Sequence, residues 1–435
     1  MLHCALPASV DLLALHRRFP ERYPFLLQSV ASHPQAGRYD LLFAFPEDAI
    51  EARVGDADFF AALDAAASSL PLTADHGLPF VGGWFLLAGY EAVRWVEPRL
   101  RLPPSPHRLP DALAVRCSGA IIIDRNTGTA LGLSETSAAA LRQMEQDCDL
   151  PVDAPIRPLQ QPLAIVEDEA ARFVDGVSRI LAYLQAGDVF QVNLSRRWTA
   201  RYGEPVDAAA LYERLRLSNP APFAGLAHWR GSSVLSSSPE RLIEVADGHV
   251  QTRPIAGTHA RDHAEDARDR ERLIASLKER AEHVMLIDLE RNDLGRIAVP
   301  GSVEVSELMT VESYAHVHHI VSNVRGRLRA GVGPGSALRA VFPGGTITGA
   351  PKVRAMEVIA ELEGIGRGPY TGAMGYLSRC GRLDTNILIR TLVVESDTVS
   401  FRAGAGIVAD SKPQAELAET RAKARGLLLA LGAPA

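Results

Sequence analysis

The chain of 435 residues contains few cysteines and no long apolar run. Cys4, Cys117, Cys148 and Cys380 form no C-x-x-C pair and have no histidine at metal-ligand spacing, so we expect reduced thiols. No apolar stretch reaches about 18 residues, which predicts that no segment spans a membrane. The N-terminus lacks a basic segment followed by an apolar run, so we expect no signal peptide and a cytoplasmic location.

Basic clusters and nucleotide-binding loops are also missing. The net charge is −6, from 46 basic and 52 acidic residues, and no basic block occurs, so the sequence does not predict nucleic-acid binding. No Gly-Lys-Ser or Gly-Lys-Thr step is present, which excludes a Walker loop and nucleotide hydrolysis. Apolar residues make up 47% of the chain, enough for a substantial core. A small acidic metabolite remains a candidate ligand, because a local site can oppose the net charge.

Two proline-rich stretches, residues 101–110 and 151–162, interrupt the pattern of predicted elements. We predict an N-terminal region over residues 1–155 and a larger catalytic region over residues 160–435. The predicted strands are Tyr39–Phe45, Ala114–Asp124, Val189–Ser195, Ser233–Ser238, Leu242–Val245, Ala373–Ser378 and Val399–Ala403. The predicted helices are Glu167–Ala186, Val206–Leu217, Ala264–Asp288, Val353–Leu362 and Gln414–Leu429. Because strands come in groups, we expect an α+β fold with mixed, largely antiparallel sheets.

A Gly-Ala-Gly run followed by an acidic helix is the most informative stretch of the chain. Gly404–Gly406 ends an apolar segment, where small residues let the backbone approach a ligand closely. In the following helix, Glu416, Glu419 and Lys423 are three and four residues apart and therefore share one face. A solvated, ion-paired face would give the same pattern. Two carboxylates and an ammonium beside a backbone cradle also suit a hard cation and an anionic substrate.

A second acidic pair, Glu279 and Glu282, shares one face of a helix within the segment ERAEHVMLIDLERND. Two acidic pairs on separate helices are typical of a divalent-ion site that forms when the chain folds. Oxygen ligands without a nearby cysteine favour Mg²⁺ over zinc. The alternative is two independent surfaces that carry ion pairs.

Several polar residues lie between apolar ones. Gln191, Asn193 and Ser195 alternate with apolar residues and share one face of a predicted strand, a face that is usually exposed to water. Glu240 directly follows a proline between two apolar segments, where it could serve as an acid or base or be an exposed turn residue. His319 is a candidate proton carrier.

Two loops and one arginine are candidate anion sites. In RPIAGTHAR, Gly257 and Thr258 offer backbone N–H groups and a hydroxyl beside arginine. In FPGGTITGAPK, Thr346 and several glycines precede a helix whose N-terminus could bind an anion. Tyr370 follows in RGPYTGAMGY. Arg390 comes directly after apolar residues, an unusual position for arginine unless it meets an anion.

In this order, the segments resemble the chorismate-utilising enzymes. The matching segments are GDVFQVNLS, SPE, PIAGT, AEHVMLIDLERND, GGTITGAPK, AGAGIV and AELAETRAKA, and they span about residues 160–430. The resemblance implies a four-layer α/β/β/α fold and a Mg²⁺ ion that bridges the enzyme and chorismate. A weaker resemblance covers Leu26–Glu47 and the tryptophan pocket of the glutamine-dependent members. It implies that Ser29, Tyr39 and Asp40 surround a tryptophan.

The resemblance also implies roles for single residues, by their positions in these segments. The implied metal site consists of Glu282 and Glu419 as ligands and Glu279 and Glu416 in the outer shell. The positions that would hold the two substrate carboxylates are Thr346, Tyr370, Arg390, Ala405, Gly406 and Lys423. Glu240 and His319 would take the acid–base positions.

The nucleophile distinguishes the branches of this family. Water-using members carry lysine where this chain has Gln191, so the resemblance favours ammonia. The chain has no G-x-C-x-G cysteine, and it is expected to take ammonia from a separate glutamine amidotransferase subunit. The segments FQVNLS and NPAPF favour the aminodeoxychorismate synthase branch, although Ala256, in place of that branch's usual lysine, fits the alternative, the anthranilate synthase branch. A non-catalytic regulator that binds tryptophan or chorismate is disfavoured, because all four carboxylates are present.

Overall fold

A computed structural model describes residues 1–30, 37–150, 159–260, 277–313 and 317–433. Within these ranges, residues 258–260, 277–278 and 317 are described by their backbone alone. The described helices include none that is both long enough and apolar enough to cross a membrane.

The elements follow one another in chain order with helices and strands in groups. The α-helices described are α1 Leu12–Arg18, α2 Phe59–Ser68, α3 Val93–Val96, α4 Ala138–Asp149, α5 Ala170–Gln185, α6 Ala208–Ser218, α7 Leu277–Gly295, α8 Pro334–Val341, α9 Lys352–Glu363 and α10 Pro413–Leu431. The first ten strands are β1 Leu2–Leu6, β2 Phe25–Gln28, β3 Tyr39–Ala52, β4 Gly83–Ala88, β5 Ala112–Asp124, β6 Thr129–Ser134, β7 Ala164–Glu167, β8 Gln191–Arg201, β9 Phe223–Trp229 and β10 Ser232–Ser238. The remaining strands are β11 Arg241–Ala246, β12 His249–Thr252, β13 Ile255–Ala260, β14 Glu304–Ser313, β15 Val317–Arg327, β16 Gly349–Ala350, β17 Ala373–Ser378, β18 Leu383–Ile387, β19 Thr391–Glu395 and β20 Thr398–Ile407.

The sheet pairing confirms the predicted α+β class. The named strands form a 20-stranded hydrogen-bonded network, and neighbouring strands such as β8 and β20 run antiparallel. Each predicted strand and helix corresponds to an element of the structure, and β17 has the predicted bounds. Residues 264–276 of the helix predicted over Ala264–Asp288 lie outside the described part of the chain.

Three apolar clusters show where the layers meet. One cluster contains residues of strands and adjoining loops, and in it the rings of Phe25 and Phe85 stack with centroids 3.9 Å apart. A second cluster joins α2, α7 and α8 to β4, β11 and β12. A third joins α5, α9 and α10 to β8 and β20. Helices therefore cover the outer sides of sheet faces that pack on each other, which is the expected four-layer α/β/β/α arrangement.

Strands from both sides of the predicted domain boundary belong to the same sheet. In the N-terminal region, β2 pairs with β9 and β4 pairs with β17, both antiparallel. Residues 151–158, at the boundary itself, lie outside the described residues. The division into residues 1–155 and 160–435 stays a prediction.

The pairing of β8 with β20 brings the polar strand and the Gly-Ala-Gly run together. Gly404 lies opposite Ser195, and Gly406 lies opposite Asn193. A Cβ atom at Gly404 would lie 2.8 Å from Asn193 Oδ1 and 2.9 Å from the Tyr370 hydroxyl oxygen. Glycine is therefore required here, because it lets two polar side chains approach the strand closely. The helix α10 begins after this strand with Pro413 in its first turn, as expected.

A buried ion network fixes β20 to α9 and β8. Arg402 on β20 donates to Glu363 Oε2 over 2.7 Å, and Arg367 donates to Glu363 Oε1 over 2.7 Å. The Ser195 hydroxyl of β8 donates to Glu363 Oε1 over 2.8 Å. The two guanidinium groups hold the pKa of Glu363 below its usual value, against the effect of burial. One carboxylate therefore pairs with two buried cations at the junction of three elements.

We expect Glu363→Gln to lower the free energy of unfolding by about 3–5 kcal/mol, because two buried guanidinium groups would lose their counter-charge. Urea unfolding followed by circular dichroism measures the change. Glu361→Gln is the matched control, since Glu361 lies on the same helix but pairs with Arg179 at the surface. This control should change the value by less than about 1 kcal/mol. A loss for Glu363→Gln no larger than for the control would contradict the prediction.

Candidate active site

A cavity of about 140 Å³ opens where β8, β20 and α10 meet the loop before α9. Its wall contains both acidic and basic groups from distant parts of the sequence. The polar side chains on this wall are those of Asn193, Glu240, His319, Thr346, Tyr370, Arg390, Arg402 and Lys423. The fold therefore brings together six predicted site residues: Glu240, His319, Thr346, Tyr370, Arg390 and Lys423. A larger cavity of about 440 Å³ lies elsewhere and is lined mainly by apolar residues, so it offers fewer groups for chemistry.

The polar face of β8 is buried, contrary to the expectation of a face exposed to water. Gln191, Asn193 and Ser195 are all buried. Gln191 Nε2 donates to Glu282 Oε1 over 2.6 Å, so this amide touches one of the predicted metal ligands. The polar alternation of β8 thus points into the site. In the sequence, this strand face looks the same as a face exposed to water, because the difference lies in the distant residues that pack against it.

Glu240 is buried rather than exposed in a turn. Its Oε1 atom accepts hydrogen bonds from the Thr346 hydroxyl over 2.8 Å and from the Ile255 amide over 3.3 Å. Burial raises the pKa of this carboxyl to about 8, although both hydrogen bonds favour the charged form. Glu240 is therefore largely protonated at neutral pH and could donate a proton into the cavity.

His319 lies on β15, opposite Thr258 of β13, with both strands on the same side of the cavity. Burial, together with the positive charges of Arg390 and Lys423, lowers the pKa of His319 to about 3. The imidazole is neutral at neutral pH. Gly257 adopts φ 65° at the bulge between these strands and makes a backbone hydrogen bond with His319. Thr258 is described by its backbone alone.

Residues of both acidic helices lie close to the Gly-Ala-Gly strand. Lys423 Nζ lies 2.7 Å from Glu419 Oε1 and donates to the Gly404 carbonyl over 3.2 Å. A Cβ atom at Gly406, two residues further along the strand, would lie 3.5 Å from Glu282 Oε1. Two carboxylates from separate helices thus flank one strand, and the donor atoms are the hard oxygens that Mg²⁺ prefers.

The acidic residues fit a divalent cation by chemistry, but they do not form a closed set of ligands. No group of three or more His, Cys, Asp or Glu side chains close enough to hold an ion occurs among the described residues. Glu416 is buried, and Glu279 is partly buried on the first turn of α7. The substrate or water would have to complete the coordination of a bound ion, since Mg²⁺ commonly retains water ligands.

Arg390, Arg402 and Lys423 make the cavity wall positive, and Tyr370 adds a neutral hydroxyl. Burial raises the pKa of the Tyr370 phenol to about 12, so its hydroxyl stays protonated and can donate. Arg390 has φ 51°, in the left-handed region that few arginines adopt. Ala405 is buried on β20 between Gly404 and Gly406, which brings backbone rather than a large side chain to this edge.

The sequence patterns did not reveal Arg402 or Glu363. Arg402 is 6% exposed and lines the cavity, and its Nη1 atom has no hydrogen-bond partner within the described residues. The available signal was an arginine directly before the Gly-Ala-Gly run, in a strand of otherwise apolar and small residues. Glu363 resembles any acidic residue near the end of a helix, and nothing local indicates its burial.

A second cavity, of about 1050 Å³, lies at the N-terminal segment that resembles a tryptophan pocket. Ser29 and Tyr39 contribute to its wall, as predicted. Asp40 lies behind the wall, where it accepts two hydrogen bonds from Arg125 over 2.9 Å and one from the Ser29 amide over 3.0 Å. Its charge is already neutralised, so its observed role is to fix Ser29. Further wall residues that the sequence patterns did not indicate are Phe223, Glu244, Met374, Tyr376 and Asp384.

Comparison with known proteins identifies the group to which this fold and site belong. The family model for chorismate-binding enzymes matches residues 24–429. The chain belongs to this family. The chorismate-binding enzyme is 39% identical to anthranilate synthase component 1 of Synechocystis sp., over 94% of this chain and 91% of that protein. It is 38% identical to aminodeoxychorismate synthase component 1 of Salmonella typhimurium, over 92% of this chain and 90% of that protein.

A solved structure agrees with these relationships. Anthranilate synthase component I from Streptococcus pneumoniae superimposes on this enzyme with a TM-score of 0.81 and 32% sequence identity, covering 91% of this chain and 92% of the other. The family resemblance and the α+β fold expected from the sequence are therefore confirmed. Both kinds of component 1 occur at nearly equal identity, so the comparisons leave the product of this enzyme open.

Proposed function

We propose that this enzyme is an aminodeoxychorismate synthase component I, which adds ammonia to chorismate and forms 4-amino-4-deoxychorismate and water. The support for ammonia as the nucleophile is the contact between Gln191 and Glu282, because the position that carries lysine in water-using members holds an amide here. An amide cannot act as the base that activates water, whereas ammonia is the stronger nucleophile and can attack without one. The support for this branch over the other ammonia-using branch is the pair of segments FQVNLS and NPAPF.

The residues of the cavity could perform distinct parts of this reaction. The positive charges of Arg390, Arg402 and Lys423 would attract and orient a dianion. The protonated Glu240 carboxyl would donate its proton to the departing C4 oxygen, which leaves as water. The Thr346 hydroxyl, which donates to Glu240 Oε1, would hold the carboxyl in place. The neutral His319 could accept a hydrogen bond from the incoming ammonia and orient it.

We further propose that Mg²⁺ binds between α7 and α10. Glu282 and Glu419 would hold the ion, and Glu279 and Glu416 would orient its water ligands. When bound, the ion would draw electron density from the ring carboxylate of chorismate. The close approach of Glu282 to Gly406 and of Lys423 to Gly404 supports this location.

Ammonia is proposed to come from a separate glutamine amidotransferase subunit. The support is the component 1 naming of both kinds of relative and the absence of a G-x-C-x-G cysteine in the sequence. We also propose a cytoplasmic location, in keeping with four free cysteines in the structure.

Anthranilate synthase component I is the second candidate, and Ala256 favours it. Ala256 is buried on β13, and its methyl group cannot attack C2 of chorismate as a lysine could. Lys423 is the one lysine on the cavity wall among the described residues, and it is paired with Glu419. For amination at C4, one ammonia could add at C2 as the C4 hydroxyl leaves as water, and a second ammonia could then add at C4 as the nitrogen at C2 leaves as ammonia. Addition at C2 followed by loss of pyruvate would give anthranilate.

Product analysis tests the proposal directly. The purified chain is incubated with chorismate, Mg²⁺ and ammonium, followed by a lyase specific for aminodeoxychorismate. We expect release of 4-aminobenzoate that requires the lyase. Fluorescent anthranilate, formed without the lyase, would assign the enzyme to the alternative branch. With glutamine in place of ammonium, we expect no turnover until an amidotransferase subunit is added.

We expect Glu282→Gln and Glu419→Gln each to reduce turnover by at least about 100-fold at limiting Mg²⁺, because an amide is a weaker ligand for a hard cation than a carboxylate. Calorimetric titration with Mg²⁺ and chorismate should show weakened binding of the ion in both variants. Glu361→Gln, at the surface of α9, is the control and should behave as the unmodified enzyme. Normal Mg²⁺ affinity in both active-site variants would rule out this assignment.

We propose that tryptophan binds in the N-terminal cavity, since the predicted residues Ser29 and Tyr39 lie on its wall. Calorimetry at millimolar tryptophan should detect binding. Tyr39→Ala should weaken it by about tenfold, the loss expected when an aromatic contact of about 1.4 kcal/mol is removed. Tyr183→Ala removes an exposed tyrosine on α5 and should leave binding unchanged. An absence of binding heat in the unmodified chain would refute this proposal.

A further inference from the structure

We propose that Glu290, a buried carboxylate of α7 behind the cavity wall, is a positioning residue that holds the Gly345–Thr346 loop and sets the pH range in which Glu240 donates its proton. The inference rests on the proposed function, because it gives Glu240 the role of proton donor. Glu290 lies two turns beyond Glu282 on the same helix.

Two buried carboxyl groups bridge the same pair of segments. Glu240 accepts hydrogen bonds from Ile255 of β13 and from Thr346. Glu290 accepts from the Thr252 hydroxyl of β12 over 3.0 Å and from the amide of Gly345, the neighbour of Thr346. Both carboxyl groups therefore tie the segment 252–255 to the loop 345–346, Glu240 at the cavity and Glu290 behind it. A movement of either segment would displace the Glu240 carboxyl.

The packing leaves little room for another arrangement of this loop. Glu290 is 3% exposed, and a Cβ atom at Gly345 would lie 3.3 Å from its Oε1 atom. The loop is also held from the other side, where Lys352 Nζ donates to the Pro343 carbonyl over 2.9 Å. The loop is thus held at Pro343 and at Gly345, and the Gly345 amide stays in position to donate to Glu290.

The charges around the pair explain how Glu290 could influence Glu240. Lys352 pairs with Asp293 on α7, and Lys423 is the cation that acts on Glu240. The nearby charged side chains of the other packed elements are engaged elsewhere: Arg253 with Glu307 and Glu312, Arg325 with Glu304, and Arg339 with Asp58. Lys423 and Glu290 are therefore the cation and the acidic group whose charges act on the buried Glu240 carboxyl.

The pKa shifts agree with this geometry. Burial and the negative charge of Asp293 together raise the pKa of Glu290 to about 7, against the positive charge of Lys352. When it is ionised, Glu290 adds to the effect of burial and raises the pKa of Glu240. Its charge therefore keeps the Glu240 carboxyl protonated to a higher pH.

The test is the pH profile of kcat/KM for chorismate with ammonium in Glu290→Gln. Glutamine retains the size and can still accept from Gly345 and hydrogen-bond with Thr252, so the loop should keep its place. Without the like charge, the alkaline limb should move to lower pH by about one unit. Asp288→Asn removes one charge from an exposed position of the same helix, and its profile should match that of the unmodified enzyme.

Two further measurements separate the electrostatic part from the positioning part. Glu290→Ala removes both hydrogen bonds and should lower kcat by at least about tenfold, since each lost contact of a buried donor costs about 1–3 kcal/mol. Glu290→Gln should restore most of this loss at pH values below the alkaline limb. An unshifted profile for Glu290→Gln, or normal kcat for Glu290→Ala, would overturn the proposal.

A titration that needs no turnover keeps the inference separate from the proposed function. Carbon-13 carboxyl NMR of glutamate-labelled protein, with the signal assigned by its loss in Glu240→Gln, gives the pKa of Glu240 directly. The value should be lower in Glu290→Gln than in the unmodified chain. If the chain fails to consume chorismate but this shift is present, the function is wrong and the coupling stands. If the shift is absent, the coupling is wrong whatever the chain catalyses.

Discussion

The active-site cavity depends on the burial of charge beneath it. Glu363 pairs with Arg367 and Arg402 and accepts a hydrogen bond from Ser195, so one carboxylate joins α9, β8 and β20. Buried ions are costly unless their partners are fixed, and such a network has one favourable geometry. That geometry sets the position of β20 relative to β8. The network therefore also fixes the position of the Gly-Ala-Gly backbone, which forms the floor of the cavity.

The elements of the fold were predictable where the side chains repeat with a clear period. The alternation in β17 and the helical period in α10 are local signals, and both elements appear with nearly the expected bounds. The pairing of β2 with β9, or of β4 with β17, has no local signal, because it depends on which strands bury the same apolar faces. The sequence therefore predicted the class and most elements, whereas the joining of the N-terminal strands to the main sheet required the structure.

The site residues, like the elements of the fold, were predictable where a local stretch of sequence carries a clear signal. Residues embedded in distinctive segments, such as Glu240 and Thr346, could be found, and they lie in contact. The exposure of Glu240 could not be judged, because its burial results from the loop 345–346 and from β13 packing over it. The ion pair of Asp40 with Arg125 could not be predicted either, because Arg125 follows β5 and meets Asp40 only when β5 pairs with β3.

The cavity combines an excess of positive charge on one side with protonated or neutral groups on the other. Arg390, Arg402 and Lys423 suit an anionic substrate, and the same charges help to keep His319 neutral. Glu240 is kept protonated in spite of these cations, because its burial outweighs their attraction. A carboxylate in the same place, ionised at neutral pH, would repel the substrate and could not donate a proton. Burial of Glu240 is thus the condition under which a dianion and an acid group could share one small cavity.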